Sequence, residues 1–117
     1  MLPDLNANGR LTLGENLADH GGLQVAYAAY KNATKLCPLG EKDGLTADQR
    51  FFHAYAGVWA GNITEEEIRN RTKSDPHSLG RWRVNGALPH IDAWYDAFGI
   101  KEGDKMFIPK SERLELW

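Results

Sequence analysis

Leu11-Thr12-Leu13-Gly14-Glu15-Asn16-Leu17-Ala18-Asp19-His20-Gly21-Gly22 reads as the opening of a long helix. Thr12 through Glu15 matches a capping box, with Thr12 as N-cap and Glu15 at the third helical position. Leu17, Ala18, Gly21, Val25 and Ala28–Ala29 then recur at helical spacing and form a face built mostly from small residues. Each of the two glycines costs about 1 kcal/mol relative to alanine, a cost usually offset by something passing close to the backbone. On such a helix Glu15 and Asp19, four apart, project from one face, so a nearby cation is their natural partner. Spacing alone leaves Glu15 open as a cap residue and Asp19 as a solvated surface acid. Two carboxylates without imidazole make a poor zinc site.

On the N-terminal side the chain reads as loop to about Arg10, with Asn8-Gly9 a turn signal. On the C-terminal side Cys37-Pro38-Leu39-Gly40 ends the helix. Thr46 to Gln49 and Thr64 to Glu67 are two further capping boxes. The first opens a helix carrying Phe51, Phe52, Tyr55, Val58 and Trp59 that stops at Gly61; the second opens a shorter helix to about Thr72. Asp75 to Gly80 is a loop by composition, and the alternation in Arg81-Trp82-Arg83-Val84 predicts a short extended piece. Ile91, Trp94, Tyr95 and Phe98 form a helical stripe, with Pro89 near its start and Gly99 at its end. The tail is expected to pack through Met106, Phe107, Ile108 and Trp117. The fold class is therefore mainly α, with at most short extended segments.

The 117 residues amount to one domain. Their net charge of −2 gives no electrostatic footprint for nucleic acid, and no apolar run approaches the ~20 residues that span a bilayer. A single cysteine, Cys37, precludes an internal disulfide and a thiolate cluster. The start lacks the charged and apolar regions of a signal peptide, which fits a cytosolic protein and equally a segment of a longer chain. Three N-glycosylation patterns begin at Asn32, Asn62 and Asn70 and carry little weight, because such short patterns recur by chance.

The histidines are His20, His53, His77 and His90, and no HExxH is present. His20 points about 100° around the helix from Asp19. His53 and His90, on otherwise apolar helices, read as partly buried or surface residues. His77 sits in a loop close to two arginines, where an imidazole and a guanidinium can hydrogen-bond a carbonyl or a developing oxyanion.

The string from Leu11 to Gly22 resembles the zinc-ligand segment of the neprilysin and endothelin-converting-enzyme family, a GENxAD stretch followed by a double glycine. Phe51-Phe52 through Val58-Trp59 resembles that family's FF…VW helix. Asp75-Pro76-His77 through Arg83-Val84-Asn85-Gly86 resembles its histidine-to-arginine loop, and Ala97-Phe98-Gly99 through Met106 its closing segment. The family also ends in tryptophan, as Trp117 does here. The likeness runs in the right order over nearly the whole chain. It implies the C-terminal helical part, residues 1–117, of a thermolysin-like catalytic domain.

The resemblance implies that Glu15 is the third protein ligand of a catalytic zinc ion. Asp19 would hydrogen-bond a zinc-ligating histidine, His77 would stabilise the tetrahedral intermediate, and Arg83 would bind a substrate backbone carbonyl. It also implies peptide substrates and a parent working outside the cytoplasm, in the periplasm, at the cell surface or secreted. The family's HExxH helix and its asparagine-alanine motif, normally upstream, are absent from this chain. Leu114 stands where eukaryotic members carry a cysteine, which points to a bacterial-type member. The chain alone is thus expected to be inactive and to need the missing HExxH part. Without it, an exposed helix face at Ala18, Gly22 and Val25 is expected to favour a homodimer. The competing expectation is a free-standing helical interaction module without enzymatic activity.

Overall fold

The computed structural model describes residues 2–116, so Trp117, expected to pack in the tail, lies outside the described residues. Among the described residues five helices follow in order: α1 (Gly9–Ala33), α2 (Ala47–Val58), α3 (Glu65–Ser74), α4 (Gly80–Ala87) and α5 (Asp92–Phe98). Short 3-10 turns lie at Leu88–His90 and Lys110–Glu112. Among the described residues the only extended pairing is an isolated bridge between Lys42 and Leu45. It closes over Asp43 and Gly44, whose φ values of 54° and 74° suit a tight two-residue turn.

The start of α1 corrects the capping box expected at Thr12. Asn8 is the N-cap, its side chain accepting from the Leu11 N–H at 3.2 Å. Asn ranks among the best N-caps, and nothing between Gly9 and Thr12 breaks a helix, so α1 begins a turn early. Thr12 is then interior, its hydroxyl donating to the Asn8 carbonyl at 3.2 Å. Glu15 is left free of any capping role. The box at Thr46 and Gln49 is present in both directions. At Thr64 only the threonine half forms, because Glu67 instead accepts from Arg71 at 2.6 Å.

The expected extended piece at Arg81–Val84 is also corrected: it forms the first turns of α4. Four alternating residues are too few to separate the two periods. Val84, Ala87, Leu88 and Ile91 lie at i, i+3, i+4 and i+7, and all four are buried. The stripe at Ile91, Trp94, Tyr95 and Phe98 holds, and Gly99 closes α5 at φ 63°. Pro89 sits in the 3-10 turn just before it.

The core joins Leu23 of α1, Phe52 of α2, Val84 and Ala87 of α4, and Leu88, Ile91, Trp94 and Tyr95. Burying Phe52, only 2% exposed, contributes about 1.5–3 kcal/mol. α1 packs on α4 and α2 on α5. The tail folds back over α5 through Met106 and Phe107, as expected. The Tyr95 hydroxyl donates to the Pro89 carbonyl at 2.8 Å and accepts from the Ile108 N–H at 3.0 Å. Arg113 lies over the Tyr95 ring at 3.4 Å and donates to Asp92 at 2.7 Å. Ala18, Gly22 and Val25 are all exposed on α1.

Candidate active site

The packing of α1 against α4 decides where the carboxylates go. Asp19 meets Arg83 fork to fork, Oδ2 accepting from Nε and Oδ1 from Nη2, both at 2.6 Å. These hydrogen bonds hold the Arg83 pKa above its usual value. The cation that two acids at helical spacing call for is supplied by α4.

Glu15, one turn earlier on α1, faces the loop between α3 and α4. Its Oε2 lies 3.4 Å from Nε2 of His77, and both side chains are partly open to solvent, 43% and 44% exposed. The loop is tied to α1 by Ser78, whose hydroxyl donates to Oδ1 of Asn16 at 2.8 Å. The four residues singled out in the sequence thus come together as two pairs along one rim, Glu15 with His77 and Asp19 with Arg83.

His77 is held from behind by Asp75. The His77 backbone N–H donates to Asp75 Oδ1 at 2.9 Å, and Nδ1 lies 2.8 Å from the same oxygen. The backbone bond first and the ring second keep the Asp75 carboxyl below its usual pKa. A carboxylate acceptor sets the proton on Nδ1, which leaves Nε2 as the atom that meets a second partner. Nε2 lies on the Glu15 side of the rim.

Arg83 is braced on other sides as well. Its guanidinium carbon lies 3.7 Å from the centre of the Trp59 ring, and the Tyr55 hydroxyl donates to its backbone carbonyl at 3.0 Å. Nη1 enters no hydrogen bond among the described residues. A cavity of about 190 Å³ beside this pair is lined by Asp19, Arg83 and Leu17 together with His20 and His90.

Sequence reasoning missed Asp75 and Trp59. Asp75 carried a local signal, because an Asp two residues before a loop residue commonly accepts that residue's N–H. Trp59 carried none, since α2 and α4 meet only in three dimensions. His20 is turned into the interior, 2% exposed, with its ring edge-on to His90 at 5.7 Å. His53 is exposed and Cys37 is an exposed free thiol.

The model of peptidase family M13 matches residues 2–114. Human endothelin-converting enzyme 1 is 40% identical over 113 residues, a match covering 94% of this chain and 14% of that protein. Human membrane metallo-endopeptidase-like 1 is 42% identical over 118 residues, covering 96% and 14%. Zinc metalloprotease Zmp1 of Mycobacterium tuberculosis, solved in complex with an inhibitor, superposes with a TM-score of 0.90 at 37% identity, over 96% of this chain and 17% of that one. The chain spans about one-seventh of the length of these curated relatives, 14% of each.

Proposed function

Because this chain belongs to peptidase family M13, we propose that it is the C-terminal helical part of the catalytic domain of a zinc metalloendopeptidase acting on peptides outside the cytoplasm. The observation that carries this reading is the rim itself: Glu15 beside His77 and Asp19 clamped on Arg83, from α1, the α3–α4 loop and α4.

The donor set fits zinc in part. Glu15 offers an accessible carboxylate oxygen, but among the described residues no three His, Cys, Asp or Glu side chains stand close enough to hold a metal ion. The further ligands and the general-base glutamate belong to an HExxH segment that these 117 residues lack. Bound zinc supplies Lewis-acid polarisation of a carbonyl and of water.

The chain's own residues supply the rest. His77, fixed by Asp75, places Nε2 on the rim, and in its imidazolium form that atom donates to the oxygen that gains charge during carbonyl attack, where a positioned donor is worth most. Arg83 keeps Nη1 free for a substrate carbonyl and so orients the peptide. Asp19 has both oxygens on Arg83, but each carboxylate oxygen accepts more than one N–H. It retains capacity for a ligand imidazole while holding the substrate-binding arginine.

One carboxylate cannot close a tetrahedral zinc site, so the isolated chain is inactive and binds zinc weakly at most. A peptidase assay of the purified chain with added zinc tests this, and appreciable hydrolysis of a model peptide would overturn it. The open α1 face at Ala18, Gly22 and Val25, all three exposed, is where the HExxH-bearing part would pack. In the isolated chain that face pairs two copies, and a clean monomer in concentrated sedimentation runs would remove this part of the reading. An in-frame HExxH within the ~100 codons before Met1 separates this peptidase reading from a free-standing module.

A further inference from the structure

We propose that Trp59 is a positioning residue for Arg83: its indole holds the guanidinium plane so that Nη1 points at the rim. This rests on the reading of Arg83 as the group that takes a substrate carbonyl.

The argument is geometric. A guanidinium paired fork to fork with a carboxylate has its distance and in-plane alignment set. It remains free to hinge about the line through the two carboxylate oxygens. That hinge swings the third nitrogen, Nη1, through the largest arc, and Nη1 is the atom left for a substrate. An aromatic ring on one face stops the hinge. The Trp59 ring lies there at 3.7 Å from the guanidinium carbon, within the range of a close cation–π contact.

Trp59 is itself tightly placed. It caps the end of α2, its N–H donating to the Ala56 carbonyl at 3.2 Å. Its own carbonyl lies against Gly80, the first residue of α4, so closely that a Cβ there would stand 2.7 Å from the oxygen. One residue therefore touches α4 at its start through the backbone and at Arg83 through the ring. Its Nε1 is buried without a hydrogen-bond partner among the described residues. Desolvation by the ring also strengthens the Asp19–Arg83 pair it covers.

The test reads the arginine directly. In the 15N spectrum of this chain the Arg83 Nε–H should be shifted by the indole ring current and exchange slowly with water. Trp59→Leu should remove the shift and speed the exchange by about tenfold, and Trp59→Phe should restore most of both. An unshifted Arg83 Nε–H in the unsubstituted chain overturns the proposal without any variant, as does slow exchange retained in Trp59→Leu. In the full-length peptidase, Trp59→Leu should raise KM for peptides by about tenfold with less effect on kcat and none on zinc content. Equal loss in Trp59→Phe and Trp59→Leu would overturn it. If Arg83→Met left peptide hydrolysis unchanged, the substrate-binding reading of Arg83 would fall, and the exchange measurement would still decide whether Trp59 positions it.

Discussion

Asp19 and Arg83, 64 residues apart, form a two-point ion pair with side chains only 12% and 14% exposed. Removing one member of such a pair leaves an uncompensated charge in a site water barely reaches, at a cost of about 3–5 kcal/mol. Asp19→Ala should therefore lower the unfolding free energy by about 3 kcal/mol in denaturant titration. Asp19→Asn, which still accepts from Arg83, should cost less. A loss under about 1 kcal/mol for Asp19→Ala would mean that the pair is solvated and only loosely joins α1 to α4.

Gly80 and Gly86 lie on the same short helix and should respond to alanine in opposite directions. A Cβ at Gly80 meets the Trp59 carbonyl at 2.7 Å, and backbone cannot easily retreat. Gly80→Ala should destabilise by about 1–3 kcal/mol. At Gly86 nothing lies within 4 Å, so alanine there should stabilise by about 0.5–1 kcal/mol through helix propensity. Thermal unfolding of the two variants checks both signs at once.

Acid should weaken the fold through His20 and His90 before any carboxylate titrates. Burial lowers both histidine pKa values from the usual 6.5, and for His90 the neighbouring His20 and Arg113 add to it. The native state therefore resists a proton that the unfolded chain takes up. Stability is full above about pH 6.5, falls as pH drops below it, and levels off beneath the folded-state values. Asp19, Arg83, Asp92, Lys110, Arg113 and Glu115 are the other charged groups lining the space around the two rings. His90 Nδ1 also accepts from the Leu114 N–H at 3.1 Å, so protonation there releases the tail. Carboxylates with lowered pKa, such as Asp92 held by Arg113, act only below about pH 4. Melting temperatures measured from pH 8 to 4 should show this fall, and replacing both histidines with asparagine should flatten it.

These residues also show what the sequence made legible. The stripe at Ile91, Trp94, Tyr95 and Phe98 and the cap at Thr46 are local patterns, and local patterns survive in the fold. The α4 helix was lost because four alternating residues outweighed a stripe that runs on through a 3-10 turn. Glu15, Asp19, His77 and Arg83 were found through resemblance to a family, since spacing alone left each with an ordinary surface or cap role. The pairing of Glu15 with His77 was out of reach of spacing, as was the ring of Trp59 over Arg83. Contacts between distant elements leave no periodic trace in either.

Glu15 provides the sharpest separation of a structural from a functional role. As the third residue of a capping box its loss would weaken α1, and in the structure that work belongs to Asn8. Asn8→Ala should cost about 1 kcal/mol. Glu15→Gln, at a side chain 43% exposed with no capping bond, should change stability by less than about 0.5 kcal/mol. A loss of about 1 kcal/mol in Glu15→Gln would reinstate the cap. On the ligand role proposed for Glu15, the same substitution in the full-length peptidase would exchange an anionic zinc ligand for a weaker neutral amide, so zinc content at fixed free metal should fall sharply. A carboxylate that can be neutralised without cost to the fold, yet not without cost to the metal, is one kept for its chemistry.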